Sequence, residues 1–456
     1  KPLHQERPMN EQQFAILPTK RVFLRCALPG LLAMVVSSIY TMIDGIFVGR
    51  YIGSHALAAV NLAFPIIMIL FAVGDMVAVG SAVKIAIALG EKDHTTANRI
   101  FSVAFCMILG IGVLFSLLGF LIAPFLIRTL IQDRQLAEVA WDYARFFLYF
   151  LPLIMPLFAV DNYLRICGKQ TFSMWMNIVV AILNIVLDWL FLAKLGLDIR
   201  FAALATSISM MCGVMIALTP FFLKRLTLRF TVPRISARTI VGIFHNGSSE
   251  FFNNVSGSFM ATVINGFLLH LGGGTAVAAY GIVMYIDSLL IMALYGILDS
   301  IQPPVSYNIG AGNWKKAREF FRLSCLVTAA VSFVCLLAMV CFPETLAWLF
   351  VKEDTDGVIA LTVSALRLYA FAYVFLWLNM VISSFLTAMD RAGDSLTIML
   401  FRALIFPAIC LLILPQFLDI YGIFLTPAVS GALTAVISRF MWRKNQKRLH
   451  ALGRIG

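Results

Sequence analysis

The chain has 456 residues, of which 61% are hydrophobic and 13% charged, with a mean hydropathy of +0.91. Soluble domains carry about 45 to 50% apolar and about 25% charged residues, so a water-soluble globule is excluded. A bilayer core of about 30 Å takes spans of about 20 apolar residues, which leaves room for roughly a dozen and no polar stretch large enough for a nucleotide-hydrolysing domain.

Apolar runs bounded by Gly, Pro and charge predict helices over 22–48, 56–82, 97–122, 139–163, 172–193 and 201–223. After a basic connector, KRLTLRFTVPRISAR (224–238), six more follow over 239–269, 276–302, 318–342, 358–388, 396–415 and 421–442. The predicted fold class is an all-α polytopic membrane protein of twelve transmembrane helices. Its parts are a cytoplasmic N-terminal segment (1–21), an N-lobe (22–223), the connector, a C-lobe (239–442) and a basic tail (443–456). Residues 1–21 are polar and the first apolar run is long enough to span, so no cleavable signal peptide is expected.

The formal net charge of +12 raises nucleic acid as a partner, and the placement of Lys and Arg decides against it. With the amino terminus in the cytoplasm, 27 of the 35 Lys and Arg fall on the inner side, Arg391 and Arg402 among them. This bias orients both termini inward, in a bacterial inner membrane, and makes the charge topological. The eight cysteines form no CxxC pair and the six histidines no HExxH, so neither a disulfide framework nor a zinc site is expected.

The halves repeat. A shift of 220 positions lays GSHALAA (53–59) on GGTAVAA (273–279) and LGEKDHTTANRIF (89–101) on IGAGNWKKAREFF (309–321). A shift of 222 lays LRICGKQTFS (164–173) on LTAMDRAGDS (386–395). Matches in order at nearly one offset predict two six-helix lobes. Six is even, so the lobes are related by a pseudo-two-fold axis along the membrane normal, with a path between them, as in secondary transporters.

An ionisable group at a helix centre costs about 2.5 to 3.5 kcal/mol on insertion scales and therefore needs a partner, a cavity or an ion. Asp44 lies near the outer end of the first predicted helix. Asn184 and Asp188, four apart, share a face of the fifth, and Thr206 enters the sixth at a similar depth. Two carboxylates with neutral oxygens suit sodium, or a proton relay when one acid is protonated. The bland reading is hydrogen-bonded glue between helices. In HNGSSEFFNNVSGS (245–258), Glu250 falls near the midplane, with Asn253 and Asn254 on the same face, and Asp287 falls near the midplane of the eighth helix. These four define a candidate substrate cavity that would attract cationic, partly apolar compounds. Asp75, Lys84, Asp161 and Asp299 read as charges near cytoplasmic helix ends, with Asp161 and Arg165 a mutual i, i+4 pair. Gly168–Lys169 is followed by Gln, so no phosphate-binding GxxxxGK[ST] loop exists and an ion gradient is the expected energy source.

Three stretches carry a family likeness: YTMIDGIFVG (40–49), NIVLD (184–188) followed by AALATS (202–207), and SIQPPVSYNIGAGN (300–313). Over about residues 20 to 440 the chain resembles the multidrug and toxic compound extrusion (MATE) family. The resemblance implies an antiporter that exports organic cations and other toxic compounds in exchange for sodium ions or protons; no cofactor or nucleotide is expected, and a two-lobe transporter needs no second subunit to form its path. It also implies that Asp44, Asn184, Asp188 and Thr206 match the N-lobe cation site of the DinF-like branch, and Glu250 the acid of the NorM-like branch. That branch has a further acid where this chain offers Asn379. The other classes are a lipid-linked oligosaccharide flippase and an intramembrane transferase. Acidic midplane residues speak against the first and the half-repeat against the second.

Overall fold

The structure is a computed structural model that describes residues 10–131, 133–233, 236–349 and 357–451. Residues 1–9 of the N-terminal segment, Arg234 and Ile235 of the connector, Lys352 and residues 452–456 of the tail lie outside the described residues. Among the described residues every regular element is helical.

The first six spans are α1 (Thr19–Phe47, continuing as Val48–Ile52), α2 (Ser54–Gly90), α3 (His94–Leu130), α4 (Arg134–Ile154 and Pro156–Ile166), α5 (Gln170–Asp188, continuing as Trp189–Lys194) and α6 (Ile199–Phe222). The 74-residue stretch Ala237–Gly310 is broken at Gly273, where φ is 63° and ψ −157°, and so makes two spans, α7 and α8. Next come α9 (Trp314–Cys341), α10 (Val358–Ala370 and Tyr373–Ala388, bent by 48°), α11 (Ala392–Leu400, Phe401–Ile405 and Phe406–Ile413) and α12 (Pro415–Ala451, broken near its start at Asp419, where φ is 46° and ψ −134°). That is twelve among the described residues, each over a run expected from hydropathy. Several outlast the apolar run that announces them, α2 reaching Gly90 rather than 82 and α8 Gly310 rather than 302. Hydropathy marks the bilayer edge, whereas a helix ends at its caps.

The repeat is written in the backbone. Left-handed residues recur at matching places: Gly53 with Gly273, Lys92 with Gly312, Gly168 with Asp390 and Gly196 with Asp419. The first three pairs are those that the shifts of 220 and 222 predict. Each closes a helix by reversing the chain, which requires positive φ.

On the terminal face, where the described chain begins at Asn10 and ends at Ala451, the halves meet backbone to backbone. A Cβ at Gly247 of α7 would lie 1.8 Å from the carbonyl oxygen of Met76 on α2, and one at Gly80 of α2 would lie 2.1 Å from that of Ile243. The same happens between Gly90 of α2 and Tyr307 of α8, at 2.1 Å. Glycine is required at these crossings because a methyl group has no room. Lys84 of α2 pairs with Asp390, in the turn after α10, at 3.0 Å. A helical turn ahead of α1, Gln13–Ile16, packs into the same seam. Its Phe14 is fully buried against Tyr307, and the Phe14 carbonyl accepts from Asn308 at 3.1 Å. Lys316 of α9 donates to the carbonyls of Ala15 and Leu17, the latter at 2.6 Å. Thr19 donates to Glu319, and Glu11 accepts from Thr227 of the connector.

Candidate functional site

Two polar centres lie within the bundle, one in each half. In the first, α5 brings Asn184 and Asp188 onto one face by their i, i+4 spacing. The alanines Ala202, Ala203 and Ala205 of α6 are buried, small enough to let the backbones of α5 and α6 come close. Asn184 then donates to the Thr206 hydroxyl at 3.2 Å, and that hydroxyl donates to the Ala202 carbonyl at 3.3 Å. Helix α1 lies against α5 and sets the Asp44 carboxyl beside that of Asp188. All four residues expected at the N-lobe site are therefore together.

Their oxygens are left wanting. Asp188 is fully buried with both carboxyl oxygens lacking a hydrogen-bond partner, as do the buried Oδ1 atoms of Asn184 and Asp44. Four unpartnered oxygens around adjoining carboxyls are a poor resting arrangement for glue, since an unmet buried acceptor costs about 1 to 3 kcal/mol. They fit what hard cations and protons require: oxygen donors, and two like charges that cannot coexist unneutralised. Two further residues escaped the sequence reading. Tyr40, one turn before Asp44, and Tyr143 of α4, 3% exposed, both lie within electrostatic reach of the acid pair. Directly beyond the acids, α1 and α5 widen into π-turns at Val48–Ile52 and Trp189–Lys194, a distortion that often marks functional sites.

The second centre is a cavity of about 660 Å³ between α7, α8, α10, α11 and α12, with Phe64 and Met68 of α2 at its edge. Asn253, Asn254 and Asp287 line it, as does Arg402. Glu250 stands behind Asn253, which donates to it at 3.4 Å, and lines a smaller adjoining void with Asp299. Asp287 is 9% exposed and accepts from Tyr373 at 2.7 Å. Asn379 is fully buried, donating to the Gly431 carbonyl at 2.9 Å and accepting from Ser438 at 2.8 Å, so its amide is committed to holding α10 on α12.

Two sequence readings need correction. Arg402 is not a charge of the inner side: it sits in a third π-turn, Phe401–Ile405, ten residues into α11, and lines the cavity. An arginine six residues inside a predicted apolar span was the signal for it. Asp75 and Asp299 are not helix-end charges either. Asp75 lies fifteen residues before the end of α2 and accepts from Asn254 of α7 at 3.2 Å, in electrostatic reach of Glu250 and Asp299. The Asp161–Arg165 pair is formed, at 2.6 Å, and Ser173 and Asn177 of α5 also donate to Asp161.

The MatE family model matches residues 29–190 and 251–413, once in each half. Curated relatives include the multidrug export protein MepA of Staphylococcus haemolyticus, 24% identical over 377 residues, covering 80% of this chain and 83% of that protein. MepA of Staphylococcus aureus (strain MSSA476) is 22% identical over 366 residues, covering 78% and 80%. Among solved structures, a MATE protein in complex with MaL6 superposes with a TM-score of 0.92 at 23% identity, over 98% of this chain and all of that one. The outward-facing form of a multidrug resistance MATE transporter gives 0.91 at 23% identity, over 99% and 100%. These last likenesses speak to the fold.

Proposed function

The chain belongs to the MatE family, as a membrane transporter and not an enzyme, and on that premise we propose that it is an ion-coupled antiporter of the DinF-like branch that exports amphipathic toxic compounds from the cell. Both termini face the cytoplasm of a bacterial inner membrane, and a single copy of the chain carries the whole path.

The observation that carries this reading is the set of four buried, unpartnered oxygens on Asp44, Asn184 and Asp188, with Thr206 hydrogen-bonded at their edge. A cation or a proton entering there neutralises the adjoining carboxyls. In the exchange, the lobes rock about the central path: the seam along α1, α2, α7 and α8 closes the terminal face in this structure and parts in the other state. A ligand biases such an equilibrium only through different affinities for its two states. The acid pair supplies the difference for the ion, because neutralising it alters how α1 packs on α5. Asn379, already satisfied on both sides of its amide, argues against a second ion site in the C-lobe.

The test is ion movement in proteoliposomes on addition of ethidium, with sodium and proton gradients imposed separately and Asp188→Asn beside the wild type. Flux coupled to one gradient and lost at least tenfold in the folded variant is expected. Flux retained in Asp188→Asn would remove the assignment, and no flux under either gradient would favour a lipid-linked substrate.

A further inference from the structure

We propose that the cavity in the second half is a binding site for amphipathic zwitterions, with Asp287 receiving a cationic end and Arg402 an anionic one. This rests on the transport reading and names the substrate class for its central site.

The cavity wall carries charge of both signs. On α8, Asp287 is held by the hydroxyl of Tyr373 at 2.7 Å, with Tyr369 also in hydrogen-bonding reach, so its oxygens face donors only. Arg402 enters from α11 at the π-turn, and one nitrogen, Nη2, makes both of its side-chain bonds: to Asn253 Oδ1 at 2.6 Å and to the Tyr295 hydroxyl at 3.1 Å. Among the described residues no acid lies within ion-pair distance of it, and Nε and Nη1 have no acceptor. Glu250 lies within electrostatic reach of it but forms no ion pair, and the hydrogen-bonded link between them runs through Asn253.

A guanidinium inside a membrane bundle is costly when unmatched, and five N–H groups in a planar fork suit a carboxylate that binds through two oxygens. Neutral acceptors use part of that fork and leave the rest turned to a cavity. A simple cation in this cavity meets Arg402 unfavourably, and a simple anion meets Asp287. A molecule with both charges satisfies both, which is specificity by repulsion as much as by attraction. The walls between are Tyr280, Met284, Ile291 and Leu376, a surface for an aromatic body, and about 660 Å³ is within the range of drug-sized sites.

Rhodamine B, a xanthylium cation with a free carboxylate, and its ethyl ester, which keeps the cation and loses the anion, separate the two requirements. Binding of each to the full chain in nanodiscs is read by fluorescence polarisation. The acid form should bind at least about tenfold tighter than the ester. Arg402→Gln should abolish that preference, the acid losing affinity and the ester gaining it as the repelling charge goes, Arg402→Lys should keep part of it, and Asp287→Asn should weaken both dyes. Equal wild-type affinities for acid and ester overturn the proposal, whatever the variants do, and so does a preference that survives Arg402→Gln. If neither dye binds while ethidium-evoked flux is normal, the substrate class falls and the antiporter reading stands. If flux is absent as well, both fall.

Discussion

Gly247→Ala tests the seam that closes the terminal face. The added methyl would sit 1.8 Å from the Met76 carbonyl oxygen, 2.6 Å from its carbon and 3.0 Å from its Cα. The first of these is about 1.6 Å short of ordinary van der Waals separation, and the obstacle is backbone, which cannot swing aside as a side chain does. Relief requires α2 and α7 to part. Overpacking of this kind costs about 1 to 3 kcal/mol, and the cost falls on the closed arrangement alone, since the strain vanishes once the helices separate. The equilibrium between closed and open terminal faces therefore shifts by roughly 5- to 150-fold. Gly257→Ala is the control on the same helix, because a methyl there meets nothing within 4 Å. Spin labels at Glu91→Cys and Ala311→Cys, on the exposed turns after α2 and α8, report the separation by pulsed electron paramagnetic resonance. A longer distance should gain population in Gly247→Ala, by a factor in that range, and not in Gly257→Ala. Identical distance distributions in Gly247→Ala and the wild type would refute the seam as the element that holds this face shut.

Arg165→Met should lower the melting temperature markedly, by a cost of about 3 to 5 kcal/mol, because it strands the largely buried Asp161 carboxyl; Asp161→Asn added to it should restore much of the loss, and a single variant as stable as the wild type would contradict this. Asp93 caps α3 by accepting the Thr96 N–H at 2.9 Å, and the Thr96 hydroxyl and N–H hold its carboxyl below the usual range. A lowered native value means stability that is present above about pH 4 and lost as the pH falls through that lowered value. Asp93→Ala should thus destabilise by about 1 kcal/mol at pH 7, with the gap to the wild type narrowing towards pH 3 in thermal melts.

The helices were legible because a bilayer permits few ways to satisfy a backbone, so apolar runs announce spans almost one for one. The repeat was legible down to its left-handed corners, since Gly53 and Gly273, or Lys92 and Gly312, end helices in the same manner. The N-lobe cluster could be assembled from depth and helical spacing alone, as Asn184 and Asp188 share a face wherever the helix is placed. What escaped was contact across the halves. Asp75 and Asn254 stand 179 positions apart, and nothing in either segment says that α2 lies along α7. Arg402 was misplaced because a charge near a predicted boundary is naturally moved into the adjacent loop, and the π-turn that carries it into the cavity wall has no hydropathy signature. Tyr40 and Tyr143 carry no charge that would single them out in an apolar run, and only the fold sets both beside one acid pair.

The segment around Phe14 has a consequence for how the protein is made. Its partners Asn308, Lys316 and Glu319 lie about 300 residues further along the chain. At 5 to 20 residues per second, synthesis leaves this segment undocked for roughly 15 to 60 s after it leaves the ribosome, while the eight spans α1 to α8 are made. Through that interval Phe14 is an exposed aromatic without its pocket, and the terminal seam cannot form. Docking of the N-terminal turn is then a late event of biogenesis, one that ties the first residues of the chain to the arrival of α8 and the start of α9.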